Sequence, residues 1–470
     1  MKFKLGLIIL LAALLAHPGL SQAQNNFTPI ILLLNSDLWS YDGETLQNIT
    51  NDGHITDAVL SPDGTQIAYV TLSPISVEAV EHTGGIGGGP LPSDIKVMDR
   101  HTFEILTIAE QPADASFFVD GVPDNAILRS LPAWSANCTR LAWGEIHYPS
   151  FAPETNRLVM YDFTEGSTVV WVTQLPEQAG AGPRPVTPTW GRSQIAVASY
   201  EFDPVTSTFF TEMLVYDDQD ARLISSTRLF ETDSRIFSSY VWVIDSNGQD
   251  QIAVETMPSG TWELMDPLTG RTHAALGVPK RVNPFAPQSA AISFAYHPDA
   301  KWPEFYSWAV TYPGGQQIES QNRVSSMSHV TIGPDGQAMA QITSDGLLTI
   351  LWPDGQVTEG PVLENRFATV YWGAAAWRID QPAPCGSALP PRLVVGNMAF
   401  LIPETTPNNL RSTPSTGEVL GQIQPGADMT VLAGPECADG MYWWQVDYEG
   451  TVGWTAEGNS SEYWLEPAIG

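Results

Sequence analysis

The sequence predicts an all-β chain: a β-propeller of six or seven blades, with seven favoured, followed by a small β-barrel. Three observations carry this expectation. The 470 residues include 39 Gly, 37 Pro and 16 Trp, with 43% hydrophobic and 16% charged residues, a composition of many short strands and turns in a packed chain. A hairpin motif, Leu60 to Thr71 (LSPDGTQIAYVT), recurs in degraded form as far as about residue 380. The recurrences fall at a long period, which a two-sheet sandwich does not produce.

The chain opens with the pattern of a processing signal. Lys2 and Lys4 precede an apolar run from Leu5 to Ala16, and Ser21-Gln22-Ala23 offers a small-residue cleavage site. The run is short for a bilayer span, which needs roughly 20 residues. The expectation is a secretory signal peptide over residues 1–23, with an uncleaved anchor as the alternative, and a protein that is secreted, extracellular, periplasmic or held in the cell envelope. Removing Lys2 and Lys4 from the 21 basic residues leaves 19 against 52 acidic ones, a charge of −33. That charge repels nucleic acid and anionic headgroups and argues against both as partners.

Residues 27–380 form the repeat array. Seven anchors align on the opening hairpin: VLSPDGTQIAYV (59–70), AWSANCTRLAW (133–143), TWGRSQIAVA (189–198), VWVIDSNGQDQIAVE (241–255), FAYHPDAKWPEFYSWAV (294–310), TIGPDGQAMAQI (331–342) and a truncated YWGAAAWRI (371–379). Each reads as an apolar pair, a short turn and a strand. Asp63-Gly64 supplies the positive-φ turn, and Ala136, Arg192 and Asp335 align with Asp63 in other copies. Between anchors lies a second hairpin whose first strand runs into an aspartate turn, as in DLWSYDGETL (37–46), DIKVMDRHTFEIL (94–106), RLVMYDFTEGSTV (157–169) and TWELMDPLTGRTH (261–273). Two hairpins per unit make a four-stranded antiparallel sheet. Turn positions at 61, 135, 191, 245, 297, 333 and 373 are 36 to 74 residues apart, the period of propeller blades with insertions. The weak last anchor near Tyr371 is expected to pair with Ile30–Leu34 and close the ring from both termini.

SPDGTQIAYVT followed by the D-I-K-V-M-D strand resembles the repeat of TolB-like propellers. The resemblance covers residues 30 to 380 and implies a fold rather than an activity, because such propellers serve as protein-binding scaffolds, carbohydrate-active enzymes and peptidase modules.

Chemical signatures are sparse. G-x-S-x-G, H-E-x-x-H and C-x-x-C do not occur. His54, His82, His101, His147, His273, His297 and His329 are scattered at no metal-ligand spacing, and His297 reads as a turn residue. The glycine-rich stretch His82–Pro90 fails every phosphate-loop spacing and reads as a surface loop, as does Pro176–Pro188. Asp245–Asp250 lacks the ligand spacing of a calcium loop, and an Asn-Gly hairpin turn explains it. No catalytic residue, metal or cofactor is expected.

A Pro-rich linker, residues 381–391, leads to a module over residues 392–470 with five or six short strands. Asn409-Leu410-Arg411-Ser412, Pro414-Ser415, Val419-Leu420-Gly421, Pro425-Gly426, Trp443-Trp444-Gln445-Val446 and Gly453-Trp454 resemble the bacterial SH3-like domain. Arg411 is expected to tie the opening turn to backbone carbonyls or to an acidic partner. Of three cysteines, Cys385 and Cys437 are expected to pair, pinning the linker to the barrel, with Cys138 left as a buried thiol. The aromatics are shared between core filling and a ligand groove, with Tyr442, Trp443, Tyr448, Trp454 and Tyr463 as groove candidates and Trp443 and Tyr448 preferred. The resemblance implies binding of cell-wall glycan or peptide, or of an envelope protein.

Two functional readings follow. The first is a secreted, non-enzymatic scaffold whose propeller presents a protein or glycan interaction face while the SH3-like domain holds envelope material. The alternative is a propeller-fold polysaccharide lyase or hydrolase with a metal in the central channel.

Overall fold

The computed structural model describes residues 27–467 except 84–90, 118–122, 149–154, 174, 176–184, 204–207, 233–239, 246–248, 257–260, 276, 287, 298–304, 321–322, 325, 365–367, 380–384, 387, 390, 394–397 and 404. The signal-peptide region and most of the Pro176–Pro188 loop lie outside the described residues. So do the centre of the Asp245–Asp250 turn and the start of the linker.

The described strands up to residue 378 make seven four-stranded antiparallel sets, the units of a β-propeller, beside a separate pair, Ser116–Phe117 with Pro123–Asp124, and one inserted strand, Ala376–Arg378. The first is Ile55–Leu60, Gln66–Leu72, Ser93–Asp99 and Ile105–Ala109, each strand pairing with the next. The second has an inner strand in two pieces, Ala126–Arg129 and Ala133–Trp134, both paired with Arg140–Tyr148, and continues through Thr155–Asp162 to Ser167–Val172. The third runs from Pro188–Trp190 to Leu223–Thr232 and the fourth from Tyr240–Ile244 to Thr272–Ala274. The fifth spans Lys280–Val282 to Gln317–Glu319 and the sixth Val330–Ile332 to Val357–Val362. The seventh joins the termini, because Thr369–Tyr371 pairs with Ile30–Leu34 and Ile31 stands opposite Tyr371.

Strand sequences show why the sets stack face to face. Ile67, Ala68, Tyr69 and Val70 are consecutive and all buried, so this strand is covered on both faces instead of alternating buried and wet. Ile67 and Tyr69 pack with Ile31 and Leu38 of the seventh set, while Ala68 packs with Trp134, Leu141 and Trp143 of the second.

Side chains fix the turns. Asp63 Oδ1 accepts from Ser61 Oγ (2.6 Å), Thr65 N (3.0 Å) and Thr65 Oγ1 (2.8 Å), and Gly64 takes φ +75°. In the second set Asn137 Oδ1 accepts from Ser135 Oγ and Thr139, and Cys138 occupies the left-handed position at φ 59°. The residue equivalent to Asp63 is therefore Asn137 and not Ala136, a one-residue correction. The aspartates of the second hairpins act likewise. Asp99, Asp162 and Asp266 each accept from backbone N–H groups two and three residues on.

The repeat phase differs from expectation in the fifth set. The anchor at 294–310 joins the second and third strands of that set, not the first and second. Its aromatic pairs, Phe294 with Trp308 and Tyr296 with Tyr306, imitate the anchor pattern. His297 is accordingly no anchor turn residue, and its Nε2 lies 2.8 Å from Ser307 Oγ across the hairpin. The reading of His82–Pro90 as loop also changes at its start, since Pro74–Thr83 is an α-helix. Ser73 precedes it and Pro74 holds the first helical position, where its missing N–H costs nothing.

After Tyr371 the chain does not turn back as a hairpin. Ala376–Arg378 inserts between the inner strands of the fourth and fifth sets, parallel to Tyr240–Ile244 and antiparallel to Lys280–Val282, giving one nine-stranded sheet.

The C-terminal module is one seven-stranded sheet in the spatial order Val419–Ile423, Asn408–Arg411, Thr451–Ala456, Met441–Tyr448, Asp428–Ala438, Met398–Leu401 and Leu465–Pro467. It closes on a core of Leu401, Leu410, Ile423, Met429, Val431, Trp444 and Val446 with Leu393 and Leu465. Gly453 is needed where this sheet folds over, since a Cβ there would lie 2.7 Å from Leu410 Cγ. Among the described residues no helix is long and apolar enough to cross a membrane.

Candidate functional site

Register on the barrel sheet decides which aromatics face outward. Trp444 and Val446 point into the core, so Trp443 and Gln445 point away from it. Gln445 stands opposite Trp454, and Trp454 stands opposite Arg411. Arg411 in turn faces Val419 on the next strand. One outward row therefore runs Val419, Arg411, Trp454 and Gln445 across four strands.

This row has the parts of a recognition surface. Trp454 is half-buried, and its indole N–H donates to none of the described residues. Arg411 Nη1 donates to Gly417 O at 2.9 Å, which ties the opening turn to a backbone carbonyl as the sequence led us to expect. Val419, Leu420 and Val452 are exposed nearby on the same strands. A flat aromatic face flanked by a cation and an amide can stack on a sugar ring or a peptide and hydrogen-bond its edge.

The other groove candidates are engaged elsewhere. Tyr442 is only 8% exposed, and its hydroxyl accepts from Cys385 N at 3.2 Å. Trp443 is 5% exposed although it points away from the core. The neighbouring strand Asp428–Ala438 shifts register twice, and its Ala438 O accepts the indole N–H at 3.1 Å. Strand alternation alone misplaces Trp443 for that reason, so both residues lie outside any open groove. Tyr448 is half-buried and packs against the barrel core. Tyr463 carries the Arg392 guanidinium on its ring, 3.4 Å from the centroid.

Cys385 is bonded to Cys437, 52 residues on, which pins the linker to the barrel. Cys138 is free and half-buried, and burial pushes its thiol up to about 11.

Sequence reasoning missed a carboxylate inside the barrel. Glu457 is 2% exposed, with Oε2 accepting from Trp444 Nε1 (2.8 Å) and Oε1 from Arg392 N (2.7 Å). Burial pushes its carboxyl up to about 7, against hydrogen bonds that pull it down. Arg392 reaches on to Glu466 (3.0 Å) and to Leu465 O (2.7 Å), so the first residues after the linker are locked to the last strand. The only sequence signal was an acidic residue just after an apolar strand.

A second polar constellation joins the first and second sets. Glu145 accepts from Arg129 Nε (2.9 Å) and Trp143 Nε1 (2.9 Å) and lies 2.7 Å from His147 Nε2. Burial pushes the carboxyl up, but His147, Arg129 and Trp143 outweigh it and bring it down to about 2. Arg129 also donates to Ser93 O and Glu110 O of the first set, so the network ties two sheets together. Among the described residues no group of three or more His, Cys, Asp or Glu is placed to hold a metal ion.

The family model for the bacterial SH3 domain matches residues 405–461. No curated protein matches the chain. Among solved structures the chain is similar to TolB from Acinetobacter baumannii, with 15% identity, 68% of each chain covered and a TM-score of 0.35. It is also similar to an oligogalacturonate lyase in complex with manganese, with 13% identity, 68% of this chain and 69% of that chain covered and a TM-score of 0.27. A third is an acylaminoacyl peptidase from Pyrococcus horikoshii, with 13% identity, 65% of this chain and 45% of that chain covered and a TM-score of 0.38. Residues 405–461 are a bacterial SH3 domain, carried C-terminal to a β-propeller.

Proposed function

We propose that this protein is an exported, non-enzymatic binding scaffold. Its SH3 domain takes cell-wall glycan or peptide, and its propeller, a closed ring of seven blades, presents a second face to an envelope protein or glycan. The domain limits that go with this reading are a signal peptide over 1–23, the propeller over 27–380, a linker over 381–391 and the SH3 unit over 392–470. Arg392 and Leu393, both engaged with the barrel, support the last boundary.

The observation that carries the reading is the outward row on the barrel, in which Trp454 lies between Arg411 and Gln445 with its indole N–H donating to none of the described residues. Inward-facing aromatics already fill the core, so Trp454 is surplus to it. Retention of the full chain on purified cell-wall sacculi tests the proposal. Binding at micromolar protein that competes with soluble wall fragments is expected, and full recovery in the unbound fraction would refute it.

A further inference from the structure

We infer that the propeller is held shut at one seam by a strap, residues 372–379. Neighbouring sets elsewhere share a hydrophobic core. The third and fourth join through Ala196, Met213 and Val215 against Ile252, Val254 and Met265. The fifth and sixth join through Ile292, Phe294 and Trp308 against Val330, Ile332 and Met339. The seam between the fourth and fifth sets is built differently.

On its fifth-set side, the fourth set buries Val243, Ala253 and Leu264, and what completes that cluster is Ile379, with Trp377 beside it. Among the described residues, none of the fifth set belongs to the cluster. The fifth set turns Ile292, Phe294, Trp308 and Val310 toward the sixth, so alternation turns Ser293, Ala295, Ser307 and Ala309 toward the fourth. This wall is small and polar, and Ala295 is exposed in mid-sheet, whereas Ala68, Ala142, Ala196 and Ala340 on second strands elsewhere are buried. A sheet face that packed on its neighbour would not leave an alanine wet.

The inner strands Tyr240–Ile244 and Lys280–Val282 do not pair with each other. Trp377 stands opposite Val243 on one side and Arg281 on the other, so the two strands sit two strand spacings apart, about 10 Å. Three residues of inserted strand thus bridge the seam. Arg281 holds the insert from the fifth set, its guanidinium 4.9 Å from the Trp377 ring while it donates to Met327 O and Val330 O of the sixth. The strap is anchored at its start by Arg100 on Trp372 O (2.8 Å) and by Gly373 N on Ile332 O (2.9 Å). It passes so close to the Gly333 turn that a Cβ on Gly373 would lie 2.5 Å from Gly333 O.

The strap ends six residues before Cys385, the disulfide anchor of the barrel. Among the described residues this is the one seam without a hydrophobic cluster shared by its two sets. The inner strands on either side of the insert are the place where the ring opens.

Hydrogen exchange of the full chain, read by mass spectrometry, tests this. Amides of 241–244, 280–282 and 376–379 should exchange as one group, at least tenfold faster than those of the inner strands 55–60 and 330–332. Trp377→Ala should raise exchange of 241–244 and 280–282 at least tenfold further while leaving 55–60 unchanged. Seam amides in the native chain as protected as 55–60, or a Trp377→Ala effect spread evenly over all sets, would overturn the strap. The native-chain comparison decides the matter even if the variant fails to fold.

Discussion

The guanidinium of Arg100 donates to the main-chain oxygen of Trp372 at 2.8 Å, across 272 residues of sequence. The same group donates to Gly64 O (2.6 Å) and Pro29 O (2.8 Å), so one 6%-exposed side chain ties the first turn, the N-terminal strand and the exit segment. Burial brings its pKa down to about 10, still far above neutrality, so it stays charged. Arg100→Ala leaves three carbonyls short of a donor, and a loss of about 2–4 kcal/mol is expected in denaturant unfolding. Arg100→Lys should recover little of it, because an ammonium cannot reproduce the planar fork that meets three separated oxygens.

Asp63 is a structural acceptor. Asn137 makes the same set of turn bonds in the second set without a charge. Asp63→Asn is therefore expected to change stability by less than about 0.5 kcal/mol, and Asp63→Ala to cost about 1 kcal/mol through the unmade turn bonds. Thermal unfolding of the two variants beside the native chain separates a need for an acceptor from a need for a carboxylate.

Glu457 makes the barrel pH-sensitive in an unusual direction. Its folded carboxyl titrates near 7, above the 4.5 of an unperturbed glutamate. Between those values the folded barrel binds the extra proton, so this group's contribution to stability falls as pH rises from about 4.5 through 7. Unfolding followed by tryptophan fluorescence, native against Glu457→Gln, should show the native barrel losing ground relative to the variant over that window. Parallel pH profiles would mean that the carboxyl is ionised throughout.

The bridge between Cys385 and Cys437 closes a 52-residue separation in the chain. Loop-closure entropy of that size corresponds to roughly 4 kcal/mol. Cys437→Ser is expected to lower the barrel's denaturation midpoint while the propeller's transition stays in place. Peptide mapping without reductant should find Cys138 as the thiol.

Much of the fold was legible because its signals are local. Ser61, Asp63 and Gly64 define a turn within four residues, and the aspartates at 99, 162 and 266 close theirs through the next backbone amides. The closing pair of Ile31 and Tyr371 was legible because the last repeat lacked a partner strand. What escaped depends on contacts distant in sequence. The aromatic strands at 294–310 carry the anchor pattern without its position in the set. Trp443 obeys strand alternation and is still buried, with its indole N–H bonded to Ala438 O of a neighbouring strand whose register shifts twice. The strap has an ordinary sequence, and only its two foreign partners reveal its place. At the candidate site, Arg411 and Trp454 were both legible as residues, but their adjacency required the register of two strands.

The outward row on the barrel is the centre of the functional account, and Trp454→Ala in the full chain tests it most directly. The measurement is retention on purified cell-wall sacculi at several protein concentrations, with unfolding curves run on the same preparations. The account predicts at least a tenfold loss of apparent affinity with a barrel transition within about 1 kcal/mol of native, since the side chain lies outside the core. A Trp454→Ala chain that folds and is retained as strongly as the native one would contradict it.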